Sequence, residues 1–266
     1  MKRNSFFLSV LLLSLFAACV KGPIPPYRPD PAQRCPIVNL TAIDPSHGPY
    51  PPDEYFIYYN AAGNPDSFLL VSSQLITQLN YYFHYDRYGR LIGFIQSYAL
   101  SHRPGFTSTA LLWDVYTYVS RNTIVDSFFE YGGTPVTASH PAPDMQFARG
   151  SIITLDDKGR IIKVQDINGP SFTSFQYDAR GNMIRSGVTY DNNVNPYRTS
   201  PIWQFVFNDF SRNNPSESFY GGPENITAFN AERLPLSISS PNYLFGAVWN
   251  NGLTFTYACD IGHSAP

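Results

Sequence analysis

The sequence is short of charge: only 14% of its 266 residues are Asp, Glu, Lys or Arg, and the 18 basic side chains do not outnumber the 20 acidic ones. Nucleic acid is therefore not an expected partner, because phosphate backbones are held by clustered Lys and Arg. No apolar run approaches the roughly 20 residues that a helix needs to cross a bilayer. The chain has no His-Glu-x-x-His, no Gly-x-Ser-x-Gly, no Gly-rich phosphate loop with Lys, and no cysteine pair at zinc spacing. The signatures of metalloproteases, serine hydrolases, nucleotide hydrolases and zinc modules are thus missing, and neither an enzyme, a cofactor nor a metal is expected. Cysteine and methionine are scarce, at three each.

Aromatics and turn formers are plentiful, with 19 Tyr, 20 Phe, 23 Pro and 18 Gly. Aromatic side chains suit a pleated, half-buried surface better than a helix. The expected fold is all-β and mainly antiparallel, built of consecutive β-hairpins that form a large twisted sheet, half-barrel or sandwich, with at most one or two short helices. Leu111–Ser120 and Thr123–Tyr131 read as paired strands, 132–144 as a Pro/Gly/Ser loop, and Phe255–Cys259 as a closing strand. Around Pro201 two readings stand. Ser200 can cap a short helix presenting Ile202, Phe205, Val206 and Phe210, or the same residues can form a strand.

The first residues carry an address. Lys2 and Arg3 precede the apolar Phe6–Leu15, and Ala17-Ala18-Cys19 follows. The run is too short to span a bilayer and reads as a signal segment. The small pair before Cys19 resembles a lipobox, in which lipoprotein signal peptidase cuts and the cysteine is acylated; Phe16 replaces the usual aliphatic residue of that pattern. A cut by ordinary signal peptidase would leave Cys19 incidental. Residues 20–34 contain Pro23, Pro25, Pro26, Pro29 and Pro31, and Pro-rich segments extend as polyproline II at about 3.1 Å per residue. The expected organisation is a signal peptide at 1–18, a lipidated Cys19 with a tether to residue 34, and one β domain at 35–266. The expected location is the cell envelope, anchored to the outer membrane, with Val20 in place of a retention-type Asp.

In an oxidising envelope compartment the remaining cysteines, Cys35 and Cys259, are expected to pair. The entropy of closing so long a loop gives an upper figure of about 5 kcal/mol.

One turn recurs between apolar segments. Phe83-His84-Tyr85-Asp86-Arg87-Tyr88-Gly89-Arg90-Leu91-Ile92 is matched at Asp156-Asp157-Lys158-Gly159-Arg160 and at Tyr177-Asp178-Ala179-Arg180-Gly181, and more weakly at Tyr59-Asn60-Ala61-Ala62-Gly63. Asp or Asn opens a type I turn by accepting a hydrogen bond from the amide two residues on. Gly supplies the left-handed residue that closes a three-residue hairpin loop with a bulge. In that register Asp86 is expected to face Arg90, Tyr85 to face Leu91 and His84 to face Ile92, with each pair worth under about 1 kcal/mol.

These residues resemble the YD repeat of the Rhs family of secreted bacterial proteins, whose Tyr-Asp-x-x-Gly-Arg-Leu hairpins add to a growing sheet. A second resemblance runs through Tyr190–Tyr197, Pro201–Phe205 and Ser211–Pro215, to uncharacterised Gram-negative lipoproteins that combine degenerate YD-like hairpins with a lipobox. It implies a cell-envelope location and no particular chemistry.

Other candidates are weaker. His84 and Asp86 lie two apart, as ligands on one strand face do. Asp156, Asp157 and Asn168 offer oxygens to calcium, but Asp156 and Asp157 read as turn residues. Asp44, Asp53, Glu130 and Glu224 are the carboxylates considered for glycoside hydrolysis, and Tyr58, Tyr59, Tyr81, Tyr82, Tyr116 and Tyr118 the rings considered for stacking on sugars. The functional expectation is a non-catalytic envelope lipoprotein that binds a glycan, a peptide or an envelope protein. The alternatives are an assembly scaffold and a carboxylate-dependent hydrolase.

Overall fold

A computed structural model describes residues 31–43, 52–72, 79–98, 111–131, 145–217, 225–239 and 252–261. Cys19, the leader, the tether before Pro31, Asp44, Glu224 and the loop at 132–144 lie outside the described residues. Among those described, thirteen strands form one antiparallel sheet, open rather than closed into a barrel. They are β1 (Ile37–Ile43), β2 (Asp53–Tyr59), β3 (Pro65–Ser72), β4 (Leu79–Tyr85), β5 (Leu91–Tyr98), β6 (Leu111–Ser120), β7 (Thr123–Tyr131), β8 (Met145–Leu155), β9 (Ile161–Asp166), β10 (Phe172–Ser174), β11 (Asn225–Phe229), β12 (Pro235–Ser239) and β13 (Gly252–Tyr257). From β10 to β1 each strand lies beside its sequence neighbour, and β13, β12 and β11 then extend the sheet beyond β1.

The strands form because apolar side chains alternate. On β2 Tyr55 and Ile57 are buried while Phe56 and Tyr58 are exposed, and on β4 Tyr81 and Phe83 are buried while Tyr82 and His84 are exposed. The buried set defines an inner face, covered over β3 to β5 by the segment after β10. That segment holds a 3-10 turn at Pro196–Thr199 and a short helix α1 (Pro201–Val206). The helix reading at Pro201 is the one realised: the Ser200 side chain accepts from the Ile202 amide and Pro201 opens the first turn. Trp203 carries the packing, fully buried with its ring 5.3 Å from Phe83 and 6.4 Å from Phe68.

The turns share one chemistry. The Asp86 amide donates to the Arg90 carbonyl, the Gly89 amide donates to the Asp86 carbonyl, and Asp86 Oδ1 accepts from the Tyr88 and Arg90 amides. Asp86 Oδ2 then accepts from Arg90 Nε at 2.8 Å. Asp156 repeats every bond, with Lys158 and Arg160 as donors and Gly159 at the close. Asn60 with Gly63, and Asp178 with Gly181, keep the backbone pair and the amide cap. A fifth turn, Asn230-Ala231-Glu232-Arg233-Leu234, has the same backbone pair and the same cap, with Arg233 at φ 65 where the other four have Gly. Sequence reading misses it because its left-handed residue is an arginine.

Register departs from expectation at one point. Tyr85 pairs with Leu91, but His84 pairs with Gly93 rather than Ile92. Ile92 is an extra residue on β5, a bulge of the kind that sharpens strand twist, and the same shift follows the turns at Tyr59 and Leu155. The closing strand also ends earlier than expected, at Tyr257, and Cys259 sits on the short helix α2 (Ala258–Ile261), where it is bonded to Cys35.

Tyrosine hydroxyls brace four of the five turns. The hydroxyls of Tyr85, Tyr177, Tyr190 and Tyr257 donate to the carbonyls of Pro65, Ile161, Met183 and Pro235, each five residues after the Asp or Asn that opens a turn. Tyr59 donates likewise to Ile37 at 2.7 Å. The arginine of one turn also stacks on the ring that follows, Arg90 over Tyr118 and Arg160 over Tyr177.

Candidate functional site

The plug formed by α1 covers only part of the inner face. Past it, between β5 and β10, lies a cleft of about 560 Å³ walled on the plug side by Phe205, Val206 and Asn208, within the range of small-molecule sites. Its floor is set by register. One cross-strand row runs Phe94, Asp114, Phe128, Arg149 over β5 to β8, and the next runs Tyr116, Asp126, Ser151, Asp166 over β6 to β9. Asp114 and Asp126 are therefore diagonal neighbours on adjacent strands, about 7 Å apart by strand geometry.

Both carboxyls are pushed toward their neutral form. Burial raises Asp114 to about 7, the charge of Asp126 adds to this, and Arg149 opposes it. Burial raises Asp126 to about 6 against the same arginine. The Asp126 Oδ1 atom is shielded from solvent and has no hydrogen-bond partner among the described residues. The Arg149 guanidinium lies 4.5 Å over the Phe128 ring. At the sheet edge Phe172 pairs with Gln165, one residue out of step with inward Asp166, so its 61% exposed ring turns to the outer face, where Lys163 Nζ lies 4.9 Å from its centre.

Comparison with protein-family models and with curated proteins returned no match. The chemistry must be read from the cleft alone. A carboxyl raised toward neutrality can donate when protonated and accept when ionised, so the two together offer a ligand both donor and acceptor. Among the described lining residues Asp114, Asp126 and Asp166 stand against one basic side chain, Arg149, so the cleft is negative wherever these carboxyls are ionised, which disfavours an acidic ligand.

The residues singled out from sequence fall elsewhere. Asp86, Arg90, Asp156, Arg160 and Asp178 are occupied in their turns. Asn168 belongs to a separate turn in which its amide donates to Asp166 Oδ1, so it does not join Asp156 and Asp157. His84 is exposed on the outer face, while the Asp86 carboxylate is held by Arg90. Asp53 is buried at the start of β2, and Glu130 is exposed on β7, which belongs to a different part of the sheet.

The six tyrosines divide between the faces. Tyr58 and Tyr82 are exposed on the outer face, Tyr81 is buried, Tyr59 is spent on Ile37 and Tyr118 stacks under Arg90. Only Tyr116 lines the cleft. The rings expected to stack on sugar are thus mostly structural, and the aromatic wall of the cleft is made by Tyr116 with Phe205.

The raised acids give a prediction with a definite sign. A carboxyl whose folded pKa is raised contributes stability that is full below its unfolded value, 3.8, and is lost as pH rises through about 7. Asp114→Asn is therefore expected to match wild type near pH 4 and to exceed it at pH 8 by about 2–4 kcal/mol. Urea unfolding at both pH values checks this, and an equal difference at the two would contradict it.

Proposed function

We propose that the chain is a bacterial cell-envelope lipoprotein, anchored through Cys19 and held off the membrane by the tether to residue 34, that binds a neutral or amino-bearing glycan in the inner-face cleft. The observation that carries the ligand class is the cleft's make-up. A carboxyl pair, a guanidinium and an amide stand beside the apolar wall of Phe205 and Val206, which suits hydroxyl-rich rings that offer polar edges and an apolar face. The acidic balance argues against uronic or sulfated chains.

Screening the full protein in detergent against neutral, amino and acidic glycans tests the reading. Binding is expected among the first two classes, with Arg149→Ala weakening it about tenfold or more at an unchanged unfolding midpoint and Phe172→Ala, on the outer face, leaving it in place. Binding confined to acidic glycans, or indifferent to Arg149→Ala, would remove the cleft from consideration. The anchor is tested separately by labelling with a palmitate analogue, which Cys19→Ala is expected to abolish; equal label in both would remove the lipoprotein assignment.

One observation favours a second reading. The Asp114–Asp126 pair, titrating near neutrality, has the make-up of a general acid and base. Hydrolysis of a bound glycan that is lost in Asp114→Asn and in Asp126→Asn, with binding retained, would convert the module into a carboxylate-dependent hydrolase.

A further inference from the structure

A second cavity, of about 530 Å³, shares no lining residue with the cleft among the described residues. Arg180, Arg198, Arg212 and Arg233 line it, joined by Asn192 and Asn213, and no carboxylate lines it among the described residues. The whole sequence has 18 basic residues, so four at one cavity is a concentration that the overall charge does not explain.

Two of the four arginines are positioned by neutral oxygens. Arg180 Nη2 donates to the Asp191 carbonyl at 2.8 Å, to Asn192 Oδ1 at 2.9 Å and to Asn213 Oδ1 at 3.2 Å, and Arg233 Nε donates to Asn193 Oδ1 at 3.1 Å. The acids nearby are engaged by amides. Asp191 accepts from the backbone and side-chain nitrogens of Asn193 and Asn214, and Asp209 accepts from Asn195 Nδ2 and the Ser211 amide. Arg198 is half-buried, and its pKa is lowered by burial first and by the neighbouring charge of Arg212 second. Like charges are thus gathered and partly dehydrated together.

The backbone supplies an independent observation. Arg233 occupies the left-handed position that is Gly63, Gly89, Gly159 and Gly181 in the other turns. An L-residue other than Asn or Asp is strained there, and strain of this kind gathers at ligand sites. Glycine would close the turn without it. What the arginine adds is a guanidinium at the cavity wall, opposite Arg180 from the turn of Asp178.

The geometry points to an anion-binding site that takes a phosphate group, held between Arg180, Arg198, Arg212 and Arg233. Planar guanidiniums match phosphate oxygens through paired, charge-assisted hydrogen bonds. The group can arrive as free phosphate or as the headgroup of a phospholipid, and the chemistry at the arginines is the same.

Calorimetric titration of the full protein in detergent, at fixed ionic strength, tests this with inorganic phosphate, short-chain phosphatidic acid and short-chain phosphatidylcholine as probes. Saturable phosphate binding is expected, weakened about tenfold by Arg233→Gly and by Arg212→Gln. The unfolding midpoint of Arg233→Gly is expected at or above that of wild type, because glycine relieves the turn. Phosphatidic acid binding at least about tenfold tighter than inorganic phosphate, with phosphatidylcholine inert, assigns the lipid headgroup; equal or weaker binding assigns free phosphate. Absence of saturation in the millimolar range, or affinity unchanged in both variants, would overturn the proposal. So would a lowered midpoint in Arg233→Gly with intact binding, which would make the arginine structural.

Discussion

Trp203→Ala is expected to destabilise the protein by about 3–5 kcal/mol, the range for removing a large buried aromatic. Trp203 is fully buried and meets Phe83, Phe68 and Phe207 at ring separations of 5.3, 6.4 and 6.2 Å. Its segment is fixed at both ends: Asn195 caps the 3-10 turn, Ser200 caps α1, and Tyr197 stacks on Phe207 at 5.3 Å. A truncated side chain leaves a cavity that these restraints keep from collapsing. The loss also reaches the cleft, because Phe205, two residues on, packs at 5.1 Å on Tyr116 and forms the wall facing Asp126. Urea unfolding is expected to show the lower midpoint, and near-ultraviolet circular dichroism a weakened aromatic signal. Trp203→Phe, which keeps a ring in place, is expected to recover more than half of the loss. An unchanged midpoint in the alanine variant would mean that the helix does not support the sheet.

The turns were legible in the sequence because their chemistry is local. Asp or Asn followed three residues later by Gly contains both the cap and the left-handed residue, so Asn60, Asp86, Asp156 and Asp178 stand out by spacing alone. Asn230 has the same cap, but Arg233 hides it. Faces were legible where alternation is clean, as in β2 and β4.

Inward charge was the harder part. Asp114 shares parity with Tyr116 on β6, and extending the inward face of Tyr116 by two residues would have marked it. Asp126 required knowing that β7 pairs with β6 in the register that sets it opposite Tyr116. Bringing Arg180 beside Arg233 required the path of the segment after β10, which depends on packing rather than on any motif. The helix at Pro201 was ambiguous for the same reason: its aromatic letters suit either period, and burial of Trp203 against Phe68 and Phe83 decides between them.

The Cys35–Cys259 bond carries the other large expected effect. Cys35 stands just before β1 and Cys259 just after β13, and these two strands are hydrogen-bonded neighbours despite a cysteine separation of 224 residues. From β1 to β10 each strand pairs with the next in sequence, so those pairings close short or moderate loops, whereas the β1–β13 pairing closes nearly the whole domain. The bond removes that closure from the unfolded chain, and Cys35→Ala with Cys259→Ala is expected to cost up to about 5 kcal/mol.

The loss is expected to be uneven. β11, β12 and β13 join the sheet through β1, so hydrogen exchange in the double variant is expected to rise first in those strands while β4 to β9 stay protected. The fifth turn moves with them, since Asn230 Nδ2 packs 3.9 Å from Cys35 Sγ and 3.8 Å from Cys259 Sγ. Arg233 belongs to that turn, and the cleft at Asp114 and Asp126 does not. Reduction is thus expected to weaken phosphate binding at the arginines while leaving glycan binding in place. Equal unfolding midpoints for the oxidised and reduced protein would show that the β1–β13 pairing holds without the bond, and equal loss at both sites would show that the sheet unfolds as one unit.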